Sequence, residues 1–291
     1  MQKVKKSPLT QTRSRSEWVV MWILVAVFIL YSISLLFPFA WVLWNSFKTT
    51  GNFNKDIWGV PSPFVISNYI EVFSIRLPVS GVSIAGMFGN TLIFICTIVP
   101  ITLFLNAISA YIVAKYDYKI MKVIHSIALI FMVVPTFGSV AAIYRFYVDS
   151  GLYNTYIGVI LLSVTCFNST FLFFHAYYQN VSWTYAEAAF MDGASHFRVF
   201  FSIMLPMSVP IIGALGILSV VGVWNDFFTV YMYAPNLSTI GVGLNELSKN
   251  IRGQYPRLFA LMVISLIPVI TVFAVFQKTI MENVSFGGIK G

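Results

Sequence analysis

Residues 18–47 read WVVMWILVAVFILYSISLLFPFAWVLWNSF, a run without a single Asp, Glu, Lys or Arg. About 20 apolar residues of helix cross the hydrocarbon core of a bilayer, so this run, with a core from Val19 to about Trp44, is long enough to span it. A basic segment precedes it, as in a signal peptide. The apolar run is about twice as long as a signal h-region, however, and no small-residue cleavage site ends it. It reads as a retained span.

Outward from this run, five further segments qualify on length and lack of charge. Residues 77–114 form a charge-free stretch longer than one span needs. Its early part, with Pro78, Gly81, Gly86 and Gly89, is expected to enter obliquely before a helix near Asn90 to Tyr111. The third span is placed at about Val123 to Tyr144 and the fourth at about Tyr156 to Tyr178. The fifth is placed at about Val209 to Tyr233 and the sixth at Leu258 to Gln277. Composition agrees: 58% of the 291 residues are hydrophobic and 10% charged, against roughly 25% charged in a soluble domain. Too few polar residues remain to cover a soluble surface, whereas a bilayer allows the outward face to be apolar. The expected fold class is all-α, a polytopic membrane protein with six transmembrane helices.

The formal net charge of +8 does not form a stripe through a folded domain, so no nucleic-acid partner is implied. The basic residues sit between the apolar runs. Counted by alternate loops, eleven Lys and Arg fall on the side that includes both termini and seven on the other, which places both termini in the cytoplasm. One membrane domain, residues 18–280, then lies between a cytoplasmic N-terminal arm, 1–17, and a cytoplasmic C-terminal tail, 281–291. No internal repeat marks an inverted-repeat transporter. Cys96 and Cys166 lie inside apolar runs and read as small buried hydrophobes, not a disulfide or metal framework. Trp18, Trp22, Trp41 and Trp44 read mostly as interface-belt residues near the ends of span one.

The loop between spans four and five breaks the pattern. From Trp183 to Leu205 it reads WTYAEAAFMDGASHFRVFFSIML and ends at Pro206. Helix formers run from Tyr185 to Met191, Gly193 breaks them, and a second stretch from Ser195 is expected to stop against Pro206. Ala188, Ala189, Gly193 and Ala194 leave little side-chain bulk, so another protein could approach closely. Phe190, Phe197, Val199 and Phe200 are apolar on a surface expected to be wet, rimmed by Glu187, Asp192 and Arg198. That composition fits a docking patch as well as an amphipathic helix lying on lipid headgroups.

The same stretch resembles the E-A-A-x3-G-x9-I-x-L-P motif of binding-protein-dependent ATP-binding-cassette importers. Glu187, Ala188, Ala189, Gly193, Ile203, Leu205 and Pro206 match every fixed position. The chain as a whole is similar to the smaller permease of carbohydrate importers, the maltose permease type. The fragments that carry this likeness are Asn45-Ser46-Phe47-Lys48-Thr49, Pro61-Ser62-Pro63-Phe64 with Ser67-Asn68-Tyr69, and Asn90-Thr91-Leu92. Gly151-Leu152-Tyr153-Asn154-Thr155-Tyr156, Trp224-Asn225-Asp226-Phe227 and the Gly287-Gly288-Ile289-Lys290-Gly291 tail complete them.

The resemblance implies that residues of about 183–206 form a cytoplasmic coupling helix seated on an ATPase subunit. Glu187 would make a polar contact there, Asp192 would lie beside it, and Gly193 would form the bend. Leu205 and Pro206 would lead into span five. It further implies a second permease, two ATPase subunits that carry the ATP and Mg, and an extracytoplasmic solute-binding protein. The solute would be a mono- or oligosaccharide. The chain itself has no phosphate-cradling G-x-x-x-x-G-K-[ST] loop and implies no cofactor, no metal site and no catalytic residue of its own. His125, His175 and His196 lie far apart in sequence, with no carboxylate at metal-site spacing.

Polar side chains at membrane depth invite a functional reading: Asn90, Asn106, Asn168, Asn225 and Asp226. Asn225 or Asp226 would touch sugar hydroxyls, with Trp224 offering a stacking face and Asn90 also on the pathway. Alternatively, Asp226 caps or pairs at the outer end of span five, or braces the partner subunit. Pro135, with Thr136 and Gly138, is expected to break span three, and Pro100 and Pro268 to kink two others. Two other functions stay open: an ion-coupled secondary transporter, and an importer permease for glycerol phosphate or another polyol derivative. A membrane scaffold would leave the loop motif without a use.

Overall fold

The computed structural model describes residues 15–78, 80–133, 137–250 and 253–284. The N-terminal arm up to residue 14, Pro135, Thr136, and the glycine-rich tail lie outside the described residues. Among those described, the chain is helical and has no strand beyond an isolated bridge between Arg76 and Ser83.

The opening helix, α1, runs Arg15–Ser46 and is 32 residues long, about 48 Å at the rise of an α-helix. No residue of its apolar window is buried within the chain. Short helices α2 (Thr50–Lys55) and α3 (Ser67–Val72) follow, then α4 (Ile84–Lys115). Ser83 caps α4 by accepting from Gly86 N. The helix therefore begins six residues before the expected Asn90, with Gly86 and Gly89 inside it.

Next come α5 (Lys119–Val133), a single tight turn at Phe137–Ser139, and α6 (Val140–Asp149). The expected third span is thus two helices. The fourth is also two, α7 (Tyr156–Ser163) and α8 (Ser169–Asn180). Asn168 has an extended backbone and its side chain caps α8. The carbonyl of Thr165, left free by the break, accepts from Asn106 Nδ2 of α4 at 2.7 Å. A neighbouring helix re-satisfies the broken backbone, as irregular structure at membrane depth requires.

Helices α9 (Thr184–Met191), α10 (His196–Val199) and α11 (Leu205–Met207) precede α12 (Val209–Asn225) and α13 (Phe228–Tyr233). The expected fifth span is interrupted at Asp226 and Phe227, because Asp226 Oδ1 accepts from Thr229 N at 3.1 Å and restarts the helix. Last are α14 (Ile240–Asn250) and α15 (Tyr255–Val284). Pro100 and Pro268 lie within α4 and α15, which run on through them.

Among the described residues three helices are long and apolar enough to cross a membrane, within α1, α4 and α15. A fourth is gained if His196–Met207 and Val209–Asn225, bent by 70°, make one span. The helix α4 lies at the centre, packed on α8 and α12, and α15 packs on α1, α3 and α12. Cys96 is exposed on α4 and Cys166 half-buried. Cys96 departs from the expected burial because the outer face of α4 turns away from the bundle, where a bilayer accepts apolar atoms, and Cys166 lies in the break between α7 and α8.

The sequence fragments around Asn45 and Pro61 fold onto each other. Asn68 Nδ2 donates to the carbonyls of Ser46 and Lys48, each at 2.8 Å. The rings of Phe47 and Phe64 stack at 4.4 Å. Lys48 is fully buried, and its Nζ donates to the Asp56 carbonyl at 2.8 Å. Trp41, expected in an interface belt, instead packs against Phe53, Trp58 and Phe259.

A second close approach sits at the start of α7. A Cβ on Gly158 would meet the Leu152 carbonyl oxygen at 2.2 Å. That atom is backbone and cannot rotate away. Gly158→Ala is therefore expected to cost about 1–3 kcal/mol, as overpacked sites do. Thermal unfolding in detergent measures it, and an unchanged midpoint would show that this junction yields freely.

Candidate functional site

The segment from Trp183 to Pro206 is a helix, a bend and a second helical stretch. The bend is Gly193 at φ +77, a left-handed conformation that glycine adopts without steric cost. Ser195 then caps α10 by accepting from Arg198 N. The stretch does not stop at Pro206. A wide turn over Phe200–Met204, in which Leu205 N donates to the Phe200 carbonyl, carries it into α11. This wider spacing accommodates a residue that has no N–H to give. The chain then bends at Ser208.

The two faces of the segment differ. Ala186 and Ala189 point inward and are buried, as are Val199, Phe200 and Met204, in the core built on Tyr111, Phe174 and Tyr178. Val199 and Phe200 were expected on the wet surface, and Ala189 among the open small residues. The helical period turns all three to the bundle instead. Phe190 is half-buried, its ring 4.8 Å from His196 and 6.0 Å from Trp183. Ile203 and Leu205 pack against the same core, while Pro206 is exposed. Outward stand Glu187, Ala188, Asp192 and Arg198, around Met191 at 88% and Phe197 at 74% exposure.

The C-terminal end of α4 grips this segment. Lys115 Nζ donates to the Val181 carbonyl at the end of α8. The Tyr116 hydroxyl and His196 Nδ1 share a hydrogen bond of 2.7 Å, and the Tyr116 ring contacts those of Trp183 and His196. Beside it, the Lys122 ammonium, 2.8 Å from Asp117, holds that carboxyl below the usual carboxylate range. The partnership of Tyr116 with the segment was missed in the sequence, since 80 residues separate it from His196.

The second group of candidates lies at the broken end of α12. Trp224 is 6% exposed and packs against Phe88 at 5.8 Å, so the stacking face expected of it is already occupied. Asn225 is exposed and donates to the Val221 carbonyl of its own helix. Asp226 spends one oxygen on the cap of α13 and lines a cavity of about 180 Å³.

Asn90 braces the bundle: its Oδ1 accepts from Tyr156 OH at 2.6 Å and its Nδ2 donates to the Ser238 carbonyl. The next residue, Thr91, accepts from Ile240 N. The fragments around Asn90, Asn154 and Trp224 thus converge on one region, with Asn154 N donating to the Tyr233 carbonyl. His125 and His175, 50 residues apart, stack at 4.3 Å. Nothing in their sequence neighbourhoods signals that contact.

Comparison with known proteins matches residues 106–285 to the family described as binding-protein-dependent transport system inner membrane component. Among curated relatives, the arabinooligosaccharides transport system permease protein AraQ of Bacillus subtilis is 30% identical over 275 residues, covering 92% of this chain and 95% of that one. The diacetylchitobiose uptake system permease protein NgcG of Streptomyces coelicolor is 29% identical over 267 residues, 90% and 86% of the two chains. Among solved structures, a chain of a bacterial ABC transporter involved in the import of the acidic polysaccharide alginate superposes with a TM-score of 0.78 at 20% identity. That superposition covers 92% of this chain and 99% of that one. The family match spans more than half of the protein and the relatives nearly all of it. This chain is a multi-pass membrane protein that belongs to the family of binding-protein-dependent transport system inner membrane components.

Proposed function

We propose that this chain is the permease of an ATP-binding-cassette importer for a carbohydrate, working by alternating access in a bacterial plasma membrane. Six spans cross the bilayer, with the interrupted third, fourth and fifth segments each counted as one, and both termini are cytoplasmic. The arm 1–17 and the tail 281–291 flank the membrane domain. A second permease completes the pathway, an extracytoplasmic binding protein delivers the solute, and two ATPase subunits hold ATP and Mg.

The observation that carries the reading is the segment bent at Gly193. It buries Ala186 and Ala189 in the bundle while leaving Glu187, Ala188, Met191 and Asp192 free on the outside. A rigidly seated segment with an uncommitted acidic and apolar outer face is suited to receive another subunit. In this reading Glu187 makes the polar contact with the ATPase, and Ala188 and Gly193 allow close approach. Ile203, Leu205 and Pro206 join the segment to α12. ATP can drive the change only through its preference for one state of the ATPase pair, and this segment is where that preference enters the membrane domain. The printed names of the relatives support a saccharide as solute.

Co-purification of the tagged chain in mild detergent tests the reading. A second permease and an ATPase at about two copies per complex are expected. A chain recovered alone or as a homodimer, with no ATPase under gentle conditions, would instead favour an ion-coupled transporter.

A further inference from the structure

Three helix breaks meet at one place. Ser163 is the last residue of α7, Asp226 closes α12, and Thr239 precedes α14. All three line the cavity of about 180 Å³, together with Thr229, Phe94 and Val223. Broken helices at membrane depth are tolerated where they line a cavity, and transporters build solute sites from such breaks.

Three hydroxyls and one carboxylate oxygen around this cavity are uncommitted. Thr239 is 2% exposed, and its Oγ1 has no hydrogen-bond partner among the described residues. An orphaned buried hydroxyl is costly and calls for a partner. Among the described residues, the Ser163 and Thr229 hydroxyls likewise make no hydrogen bond, and Asp226 uses only the oxygen that caps Thr229. Phe94 supplies an apolar wall.

We propose that this cavity is a subsite for one uncharged sugar ring of the imported carbohydrate. The Asp226 carboxylate and the Thr239, Ser163 and Thr229 hydroxyls would pair with ring hydroxyls. The inference rests on the importer reading and adds a residue-level site to it. A ring presents both donors and acceptors, which suits three hydroxyls and a carboxylate, and its apolar face suits Phe94 and Val223. A bare cation fits less well, because oxygen ligands close to about 2.3–2.6 Å around calcium and this space is far larger. No Lys or Arg lines the cavity. A uronate ring would therefore bring a second carboxylate beside Asp226 with no countercharge, which a low-dielectric site disfavours. The site selects neutral rings.

The test is saturation-transfer NMR on the whole importer complex. The probes are arabinotriose, maltotriose, chitobiose and raffinose as neutral sugars, and digalacturonate as the acidic one. At least one neutral probe is expected to receive saturation from wild type and to lose at least about tenfold in affinity in Thr239→Val, as loss of a buried polar contact produces. Ser163→Ala, the milder change, should move affinity in the same direction. Digalacturonate should bind only after Asp226→Asn.

The proposal fails if no neutral probe binds, if both hydroxyl deletions leave binding unchanged, or if wild type takes digalacturonate equally well. It also fails if sodium line broadening, abolished by the same variants, reveals a cation site. The co-purification experiment separates the two levels. A complex that carries ATPases and hydrolyses ATP, yet shows no change in these variants, keeps the importer reading and loses the subsite.

Discussion

Glu187→Lys is expected to lower solute uptake by at least about a hundredfold while the protein still inserts and folds. The carboxylate lies on the exposed face of α9 and makes no hydrogen bond or ion pair among the described residues. Its replacement therefore removes no internal contact. Lysine is a good helix former, and the loss of an acidic residue from the first turn costs about 0.3–1 kcal/mol, small against the stability of a domain. What changes is the outer surface. A positive group where the ATPase is expected to meet a negative one turns attraction into repulsion, and charge pairs at interfaces carry about 2–5 kcal/mol. A hundredfold effect needs about 2.7 kcal/mol. Uptake in vesicles, membrane fractionation and ATPase co-purification read the three consequences separately, and Glu187→Gln should fall between wild type and lysine. Normal uptake by Glu187→Lys would take the coupling role away from this residue.

The long apolar runs were legible because nothing but a bilayer accommodates them, and α1, α4 and α15 contain the expected first, second and sixth segments, α4 starting six residues early. The break of the third segment between Val133 and Val140 was expected there, whereas the interruptions in the fourth and fifth were not. The break in the fourth depends on a partner far away in sequence: Asn106 on α4 takes up the carbonyl freed at Thr165, and no local pattern announces that. Asn106 and Asn168 did stand out as costly polar groups at depth. Their service turns out to be to the broken backbone between α7 and α8.

The loop segment was legible in composition but not in orientation. Helix, bend and cap follow from Tyr185 to Met191, Gly193 and Ser195, whereas which apolar residues face inward depends on where the helix docks. Val199 closes α10 and Phe200 opens the wide turn, and both are buried because that side of the segment docks on the bundle. Trp224 illustrates the opposite limit. A tryptophan beside an acidic residue at a span end suggests a ligand site, yet Phe88 already covers it, and the uncommitted groups are the plainer Ser163, Thr229 and Thr239.

Tyr116→Ala is expected to separate ATP hydrolysis from transport, lowering the solute carried per ATP by at least about tenfold. Tyr116 closes α4, and its hydroxyl and ring tie that end to His196 and Trp183. At the other end of the same rod Asn90 and Phe94 support Tyr156 and the cavity beside Asp226. A continuous helix carries displacement along its axis, so motion of the segment reaches the cavity only as firmly as this junction holds. One hydrogen bond contributes about 0.5–1.5 kcal/mol and each of the two ring contacts about the same, so the alanine variant forfeits about 1.5–4.5 kcal/mol of linkage. Tyr116→Phe keeps the ring and should lose only the share of the hydrogen bond. ATPase activity of the complex should persist in both. Because intermediacy in space is not coupling, the decisive measurement is a cycle with His196→Ala. If the two residues act as one clasp, the double variant is no worse than Tyr116→Ala alone. Full additivity, or an unchanged ratio of solute to ATP in Tyr116→Ala, would mean that the segment drives the bundle through α12 and not through α4.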